Sequence, residues 1–335
     1  MSNSAIQGPV LGVATEAQRG VVNGTDARNL VFGGSALSFR NKIINGNFLI
    51  WQRGTTFSSP ASYAYTADRW LCDGAATSVT RAGTQNNVLT IVTQAGTGIA
   101  QRVETQGGNF YAGNTYTVSA LVNPSVADLT IIVTYRAGNT FKSTIHNANV
   151  SSQLTAGQYR RVSTTFTLAN APTDFAGTDC IQVSFISSVV NTINLQEVQM
   201  EAGSVVTPFE NRPIGTELAL CQRYYEKSYD IATVPGTATS SSLSVSNVVV
   251  RTDGTWVVYY PYKVTKRALP STSVAYTAAG TINTISARQN EGAFSNIAVN
   301  GLAGEGGVIS VGFYGSGTAS ARFYAEFHWT ASAEL

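Results

Sequence analysis

Short runs of β-branched and aromatic residues, each broken by Gly, Asn, Pro or Asp, dominate the chain from Lys42 onward. Residues 43–51, 88–92, 116–122, 129–135, 161–168, 180–186 and 193–200 all read as strands of this kind. The Ala137-Gly138-Asn139 break between two such runs has the chemistry of a hairpin turn. No helical pattern alternates with the strands, which excludes a parallel α/β sheet. Roughly eight strands over about 160 residues predict a two-sheet sandwich or jelly roll.

Two stretches depart from this pattern. Residues 1–40 hold no sustained period and are punctuated by Gly8-Pro9, Gly20, Gly24 and Gly33-Gly34. They read as an extended arm that orders against a partner, with a reach of roughly 130 Å when fully extended. Near residues 216–228, Leu218, Cys221, Tyr224 and Tyr225 recur at helical spacing with Glu217, Arg223, Glu226 and Lys227 between them. That predicts a helix capped by Thr216. β patterning then resumes. Over residues 322–329 it places Phe323, Ala325, Phe327 and Trp329 on one face, and Arg322, Tyr324, Glu326 and His328 on the outward face. The expected architecture is all-β: an arm (1–40), a jelly-roll β-sandwich (41–213), a short connector helix (214–230) and a second, C-terminal β-sandwich (231–335).

Composition narrows the function classes. Hydrophobic residues make up 43% of the 335, enough for real cores, whereas charged residues are only 12%. So little charge excludes coiled coils. With 15 Tyr, 14 Phe and 4 Trp, the chain as a whole is not disordered. The net charge of +2 without basic runs argues against nucleic-acid binding. No stretch approaches the length of an apolar membrane span, and the N-terminus lacks a secretory signal pattern. Three widely spaced cysteines, Cys72, Cys180 and Cys221, read as buried free thiols of a protein made in a reducing cytoplasm.

The chemistry of catalysis is thin. There is no phosphate-binding loop, no dinucleotide fingerprint and no nucleophile elbow. With only His146, which reads as a loop residue, and His328, no multi-histidine zinc site exists. Asp68, next to Arg69, reads as a salt-bridged or turn-capping carboxylate rather than half of a glycosidase pair. Asp174 and Asp179, in a Gly/Pro loop, can hold a structural Ca²⁺, and no other cofactor is expected. Binding is the better-supported class. Tyr63 and Tyr65, in a loop-like stretch, are candidate sugar platforms, as are Trp256, Tyr259 and Tyr260. Trp51 and Trp70 lie in strand-like runs and fit a core. The run from Trp256 onward is apolar on both faces, which suits a subunit interface equally well.

Several ordered motifs carry a family likeness. Asn45-Gly46-Asn47-Phe48, Trp51-Gln52-Arg53-Gly54 and Ala67-Asp68-Arg69-Trp70 resemble the opening of jelly-roll domains in bacteriophage tail fibre and minor structural proteins. Val198-Gln199-Met200-Glu201-Ala202-Gly203 and Thr207-Pro208-Phe209-Glu210-Asn211-Arg212-Pro213 are similar to the close of that domain, and residues 215–227 to its connector helix. Lys266-Arg267-Ala268-Leu269-Pro270 and the final Ala331-Ser332-Ala333-Glu334-Leu335 resemble the family's C-terminal β domain. The resemblance implies a virion protein with a carbohydrate-binding-module-like jelly roll, forming a homotrimer. It attaches to other virion proteins through residues 1–40 and binds host surface polysaccharide without catalysis or membrane insertion. A capsid cement or head-fibre protein is the alternative, and a glycan-degrading tailspike enzyme a more distant one.

Overall fold

Where β-branched runs meet turn residues, strands form and pair with their neighbours. The computed structural model describes residues 39–82, 87–105, 110–169, 179–247, 249–250, 255–289, 295–305, 308–314 and 323–335. The protein is all-β apart from short helical pieces. Its first part holds β1 (Thr56–Ser58), β2 (Trp70–Asp73), β3 (Ala76–Ala82), β4 (Val88–Thr93), β5 (Thr97–Glu104) and β6 (Thr115–Pro124). These are followed by β7 (Thr130–Ala137), β8 (Thr140–Asn149), β9 (Arg160–Thr167), β10 (Asp179–Ser187) and β11 (Thr192–Ala202). They make two antiparallel sheets, one ordered β1-β3-β4-β11-β6-β9 and the other β2-β5-β10-β7-β8. Alternate side chains of each sheet meet between them. Leu89, Ile91, Val118 and Val122 come from the first sheet, and Ile99, Val133, Ile181 and Phe185 from the second.

The run at residues 43–51, expected as a strand, is instead a buried turn. Asn45 and Phe48 both take left-handed backbone angles, φ 56° and 53°. The Asn45 side chain closes the turn by accepting from Ile50 N–H (3.0 Å) and donating to the carbonyls of Ile50 and Asp68. Gly46 is required there, because a Cβ would lie 2.1 Å from the Val198 carbonyl oxygen. Local β propensity loses because asparagine satisfies the backbone better than a sheet edge would. His146 lies in β8 rather than in a loop, with Nε2 2.6 Å from Thr164 Oγ1.

The helix also differs from its sequence signature. α1 spans Ile214–Gln222, with Pro213 rather than Thr216 at the N-cap. The chain then turns into β12 (Tyr225–Lys227). Helical spacing continues through Tyr225, but Glu226 and Lys227 are buried, and a solvated helix face would not satisfy them. In the strand, the Glu226 carboxylate accepts from Lys266 Nζ and from the backbone N–H of Lys263 and Val264. Lys227 Nζ donates to the carbonyls of Gln52, Ile231 and Thr233.

The remaining strands are β13 (Ser244–Asn247), β14 (Val249–Val250), β15 (Thr255–Pro261), β16 (Thr272–Tyr276), β17 (Thr284–Gln289), β18 (Ser295–Glu305), β19 (Val308–Tyr314) and β20 (Phe323–Ser332). They form one sheet with β12, ordered β12-β20-β17-β18-β19-β15-β14, and β13 and β16 also pair with β20. β20 is its spine. Ala325, Phe327 and Trp329 point into the core, as their alternation predicts. His328 does not face outward as expected. It is fully buried and stacked on Tyr229 at 3.8 Å. Its Nδ1 lies 3.1 Å from Ser228 Oγ and its Nε2 3.1 Å from the Thr239 carbonyl, while burial lowers its pKa. The segment that covers this face of β20 is far away in sequence, so strand alternation alone could not reveal it.

The three cysteines are buried and unpaired. Burial pushes the Cys72 thiol up to about 12 and Cys180 to about 11, and lifts Tyr224 and Tyr262 to about 12. In the unfolded chain these groups ionise from about pH 9 upward, while the folded chain keeps their protons. Stability is therefore lost as pH rises above about 9. Lys227, lowered to about 8, acts in the opposite direction, as do Lys42 and Lys266, but the acids are more numerous. The urea midpoint is expected to be clearly lower at pH 10.5 than at pH 8.5. A flat or rising midpoint would count against this burial.

Candidate functional site

Strand periodicity sends every second residue of the five-stranded sheet away from the core. On this outer face Arg102 of β5 stands opposite Gln182 of β10, which stands opposite Thr134 of β7. One step along, Arg136 of β7 stands opposite Cys180. Register shifts between β7 and β8 flank Thr134 and Arg136 and re-aim this end of the sheet. The polar groups are linked. Arg102 Nε donates to Gln182 Oε1 (3.0 Å), and Gln182 Nε2 donates to Ser184 Oγ (3.0 Å) and Asp73 Oδ2 (3.0 Å). Arg102 Nη1 donates to Asn139 Oδ1 (2.8 Å) and a main-chain oxygen of Leu335 (2.5 Å). Arg136 Nη2 donates to the Asn139 carbonyl (2.9 Å) and Tyr63 Oη (3.1 Å).

Three polar atoms in this cluster have no protein partner: Arg102 Nη2, Arg136 Nε and Thr134 Oγ1. Their side chains are 1%, 7% and 7% exposed. Buried donors in folded proteins are nearly always paired, so three such atoms, one on β5 and two on β7 with β10 between them, mark a place where acceptors are missing. Tyr63 lies above them, with its ring centroid 5.3 Å from the Arg102 guanidinium and 5.5 Å from that of Arg136. It remains 38% exposed. Its backbone takes φ 64° and is tied to the sheet by Tyr63 N–H donating to the Cys72 carbonyl at 2.8 Å.

The other sequence-predicted residues lie elsewhere. Tyr65 Oη donates to a main-chain oxygen of Leu335 at 3.0 Å, and burial raises its pKa, so it is engaged with protein rather than turned outward. Tyr259 is exposed on β15, while Tyr260 packs toward Trp329 at 6.1 Å. The Trp256 side chain lies outside the described residues. The two aromatic groups predicted from sequence are thus not gathered into one surface. Asp68 accepts from the backbone and side chain of Gln52, with Arg53 3.6 Å away; it is salt-bridged, but to Arg53 and not to the adjacent Arg69, which pairs with Glu334. Asp179 accepts from Tyr135 Oη at 2.9 Å, whereas Asp174 lies outside the described residues. Among the described residues no group of three His, Cys, Asp or Glu can hold a metal.

A cavity of about 280 Å³ also opens between Gln52, Lys227, Asp230, Lys263 and Trp329. Lys227 there is engaged with three carbonyls, and Asp230 accepts from Ser242 Oγ, so both turn toward protein partners. Arg102, Thr134 and Arg136 were not singled out in the sequence. The available signal was polar residues alternating with core residues in the innermost strands, as Gln182 and Ser184 do with Ile181, Val183 and Phe185.

No family model matches the chain, and no curated protein matches it. Solved structures similar to it cover about half of its length. One is the CBM22-1 xylan-binding domain from Paenibacillus barcinonensis Xyn10C (18% identity, 46% of this chain and 99% of that one, TM-score 0.31). Another is the N-terminal cellulose-binding domain of Cellulomonas fimi β-1,4-glucanase C (20% identity, 46% and 98%, TM-score 0.29). A third is a putative sugar binding protein from Bacteroides thetaiotaomicron (12% identity, 49% and 100%, TM-score 0.33).

Proposed function

We propose that this protein binds a glycan non-covalently on the outer face of its five-stranded sheet, as the receptor-binding part of a phage tail fibre. The observation that supports the site is the trio of unpartnered polar atoms, Arg102 Nη2, Arg136 Nε and Thr134 Oγ1, beneath the exposed Tyr63 ring. Each unpaired buried donor costs about 1–3 kcal/mol, and an oxygen-rich ligand supplies the missing acceptors. Tyr63 offers an aromatic face to a sugar ring. Asp73 and Glu104, carboxylates on the same face, are held by Gln182 and Ser184 and by Arg223 and Arg267 respectively, an arrangement that suits binding without bond cleavage. The virion setting, the homotrimer and attachment through residues 1–40 rest on the ordered motifs between Asn45 and Leu335.

A glycan microarray followed by calorimetry on the ligands it finds tests this reading. Tyr63→Ala is expected to weaken binding about tenfold, by loss of roughly 1.4 kcal/mol of ring contact. Absence of binding across the array defeats the reading. So does loss of binding on Tyr259→Ala with Tyr63→Ala unaffected, which would move the site to the C-terminal sheet. Release of reducing sugar would show an enzyme instead. A sedimentation mass of one chain, 35.4 kDa, would contradict the trimer.

A further inference from the structure

The geometry points to a second binding site, for one neutral sugar ring, in the cavity of about 280 Å³ that Gln52, Gln222, Asp230, Tyr260, Lys263 and Trp329 help to line. This site goes beyond the outer-face reading and does not rest on it. Several elements meet here without filling the space between them. Gln52 comes from the jelly roll, Gln222 is the last residue of α1, and Tyr260 and Trp329 come from β15 and β20.

The amides mark the cavity as a binding site. Gln222 is 8% exposed, yet its side chain makes no hydrogen bond among the described residues. Its main chain holds the helix end instead, the Gln222 carbonyl accepting from Lys266 Nζ at 2.6 Å. Gln52 is 2% exposed. Its amide nitrogen donates to Asp68 and to the Tyr225 carbonyl, while its Oε1 accepts from no described residue. Buried polar groups are nearly always paired, so two amides with free atoms on one cavity mark a place for a ligand's donors and acceptors.

The lining also selects the ligand. An amide carries donors and an acceptor, and a hydroxyl is likewise both. A charged ligand group would lose its water beside these neutral amides, and the buried cation, Lys227, already gives its Nζ to the carbonyls of Gln52, Ile231 and Thr233. Asp230 and Lys263 are exposed. One Asp230 oxygen accepts from Ser242 Oγ, and the other is left for a hydroxyl. Tyr260, half-buried and 6.1 Å from Trp329, supplies an aromatic face. The volume lies just below the roughly 300–1,000 Å³ of ordinary ligand pockets, which suits one ring rather than a chain.

Calorimetry on the whole protein tests the site with glucose, galactose, mannose, rhamnose and N-acetylglucosamine, each as free sugar and as methyl glycoside. At least one is expected to bind in the millimolar range or tighter. Binding of the free sugar alone supports a free monosaccharide as the ligand. Binding of its methyl glycoside as well supports the end residue of a glycan chain. Gln222→Met, which keeps the bulk and removes the amide, is expected to weaken binding at least tenfold. Because that amide has no protein partner, the urea midpoint of the variant should equal or exceed that of the unaltered protein. A clearly lowered midpoint would show a structural amide and overturn the premise. Tyr260→Ala is expected to weaken binding by a similar factor, with its melting temperature reporting on the fold. No sugar bound, or glycine or glutamate bound in place of sugars, overturns the proposal. So does a sugar whose binding is lost in Tyr63→Ala and kept in Gln222→Met, which would belong to the outer face. The outer-face reading stands or falls separately, on the glycan array and Tyr63→Ala.

Discussion

Glu334→Ala is expected to destabilise the protein by about 3–5 kcal/mol, the cost of leaving a buried charge without its partner. Glu334 lies among residues remote from it in sequence. It pairs with Arg69, which is 1% exposed, and with Arg53 Nη2 at 3.1 Å. Both cations are locked in place. The Arg69 guanidinium lies 3.4 Å over the Tyr224 ring and that of Arg53 lies 3.7 Å over Tyr225. Arg69 Nη2 also donates to the Arg102 carbonyl. Neither can turn to water, and neither can neutralise itself. After the substitution, Asp68 is the remaining acid beside Arg53, and Arg69 has lost its ion pair. Urea unfolding should show a lower midpoint at unchanged slope. Glu334→Gln, which keeps the acceptor and loses the charge, should fall between wild type and alanine. A loss below about 1 kcal/mol for alanine would mean the pair behaves as a solvated surface bridge.

Trp70→Ala is expected to cost a similar 3–5 kcal/mol for a different reason, a cavity in the middle of the first core. Trp70 is fully buried, with its ring 4.9 Å from Phe48 and 6.5 Å from Phe185. Its Nε1 donates to the Asn45 carbonyl at 3.0 Å, in the same turn that Gly46 tightens. Alanine removes the indole contacts and leaves that buried carbonyl without its donor. Trp70→Phe refills part of the volume but not the hydrogen bond, so its loss should be nearer the 1–3 kcal/mol of an unpaired buried group. Equal losses for the two variants would show that the hydrogen bond, not the packing, dominates. Thermal or urea unfolding with a matched slope measures both.

The strands are the part of this protein that its sequence reveals. Runs such as residues 129–135 and 180–186 carry their own instructions, because β-branching, period-two alternation and the bounding turn residues are local properties. The exposed position of Tyr63 was legible too, since its Pro/Ser/Ala neighbours do not build a core, but the same neighbours said as much of Tyr65, which is instead half-buried against Leu335. The turn at Asn45, the early end of α1 and the burial of His328 were not legible, because each depends on a partner that arrives from far along the chain. Glu226 meets Lys266 across forty residues, and His328 meets Ser228 across a hundred.

The candidate site shows the same division. Arg102 of β5 and Thr134 and Arg136 of β7 are ordinary outward residues of two strands far apart in sequence, and only the order β5-β10-β7 brings them near one another. Charge is the clearest case. By itself the sequence determined that charged residues are few, 12% of the chain, and that an all-β fold would result. Only the tertiary structure decided that Asp68, Arg69, Glu226, Lys227 and Lys266 are buried. The physical reason is that strand formation follows from neighbours along the chain. A buried charge is tolerable only where folding delivers its counter-charge or acceptors, and no local pattern records that delivery.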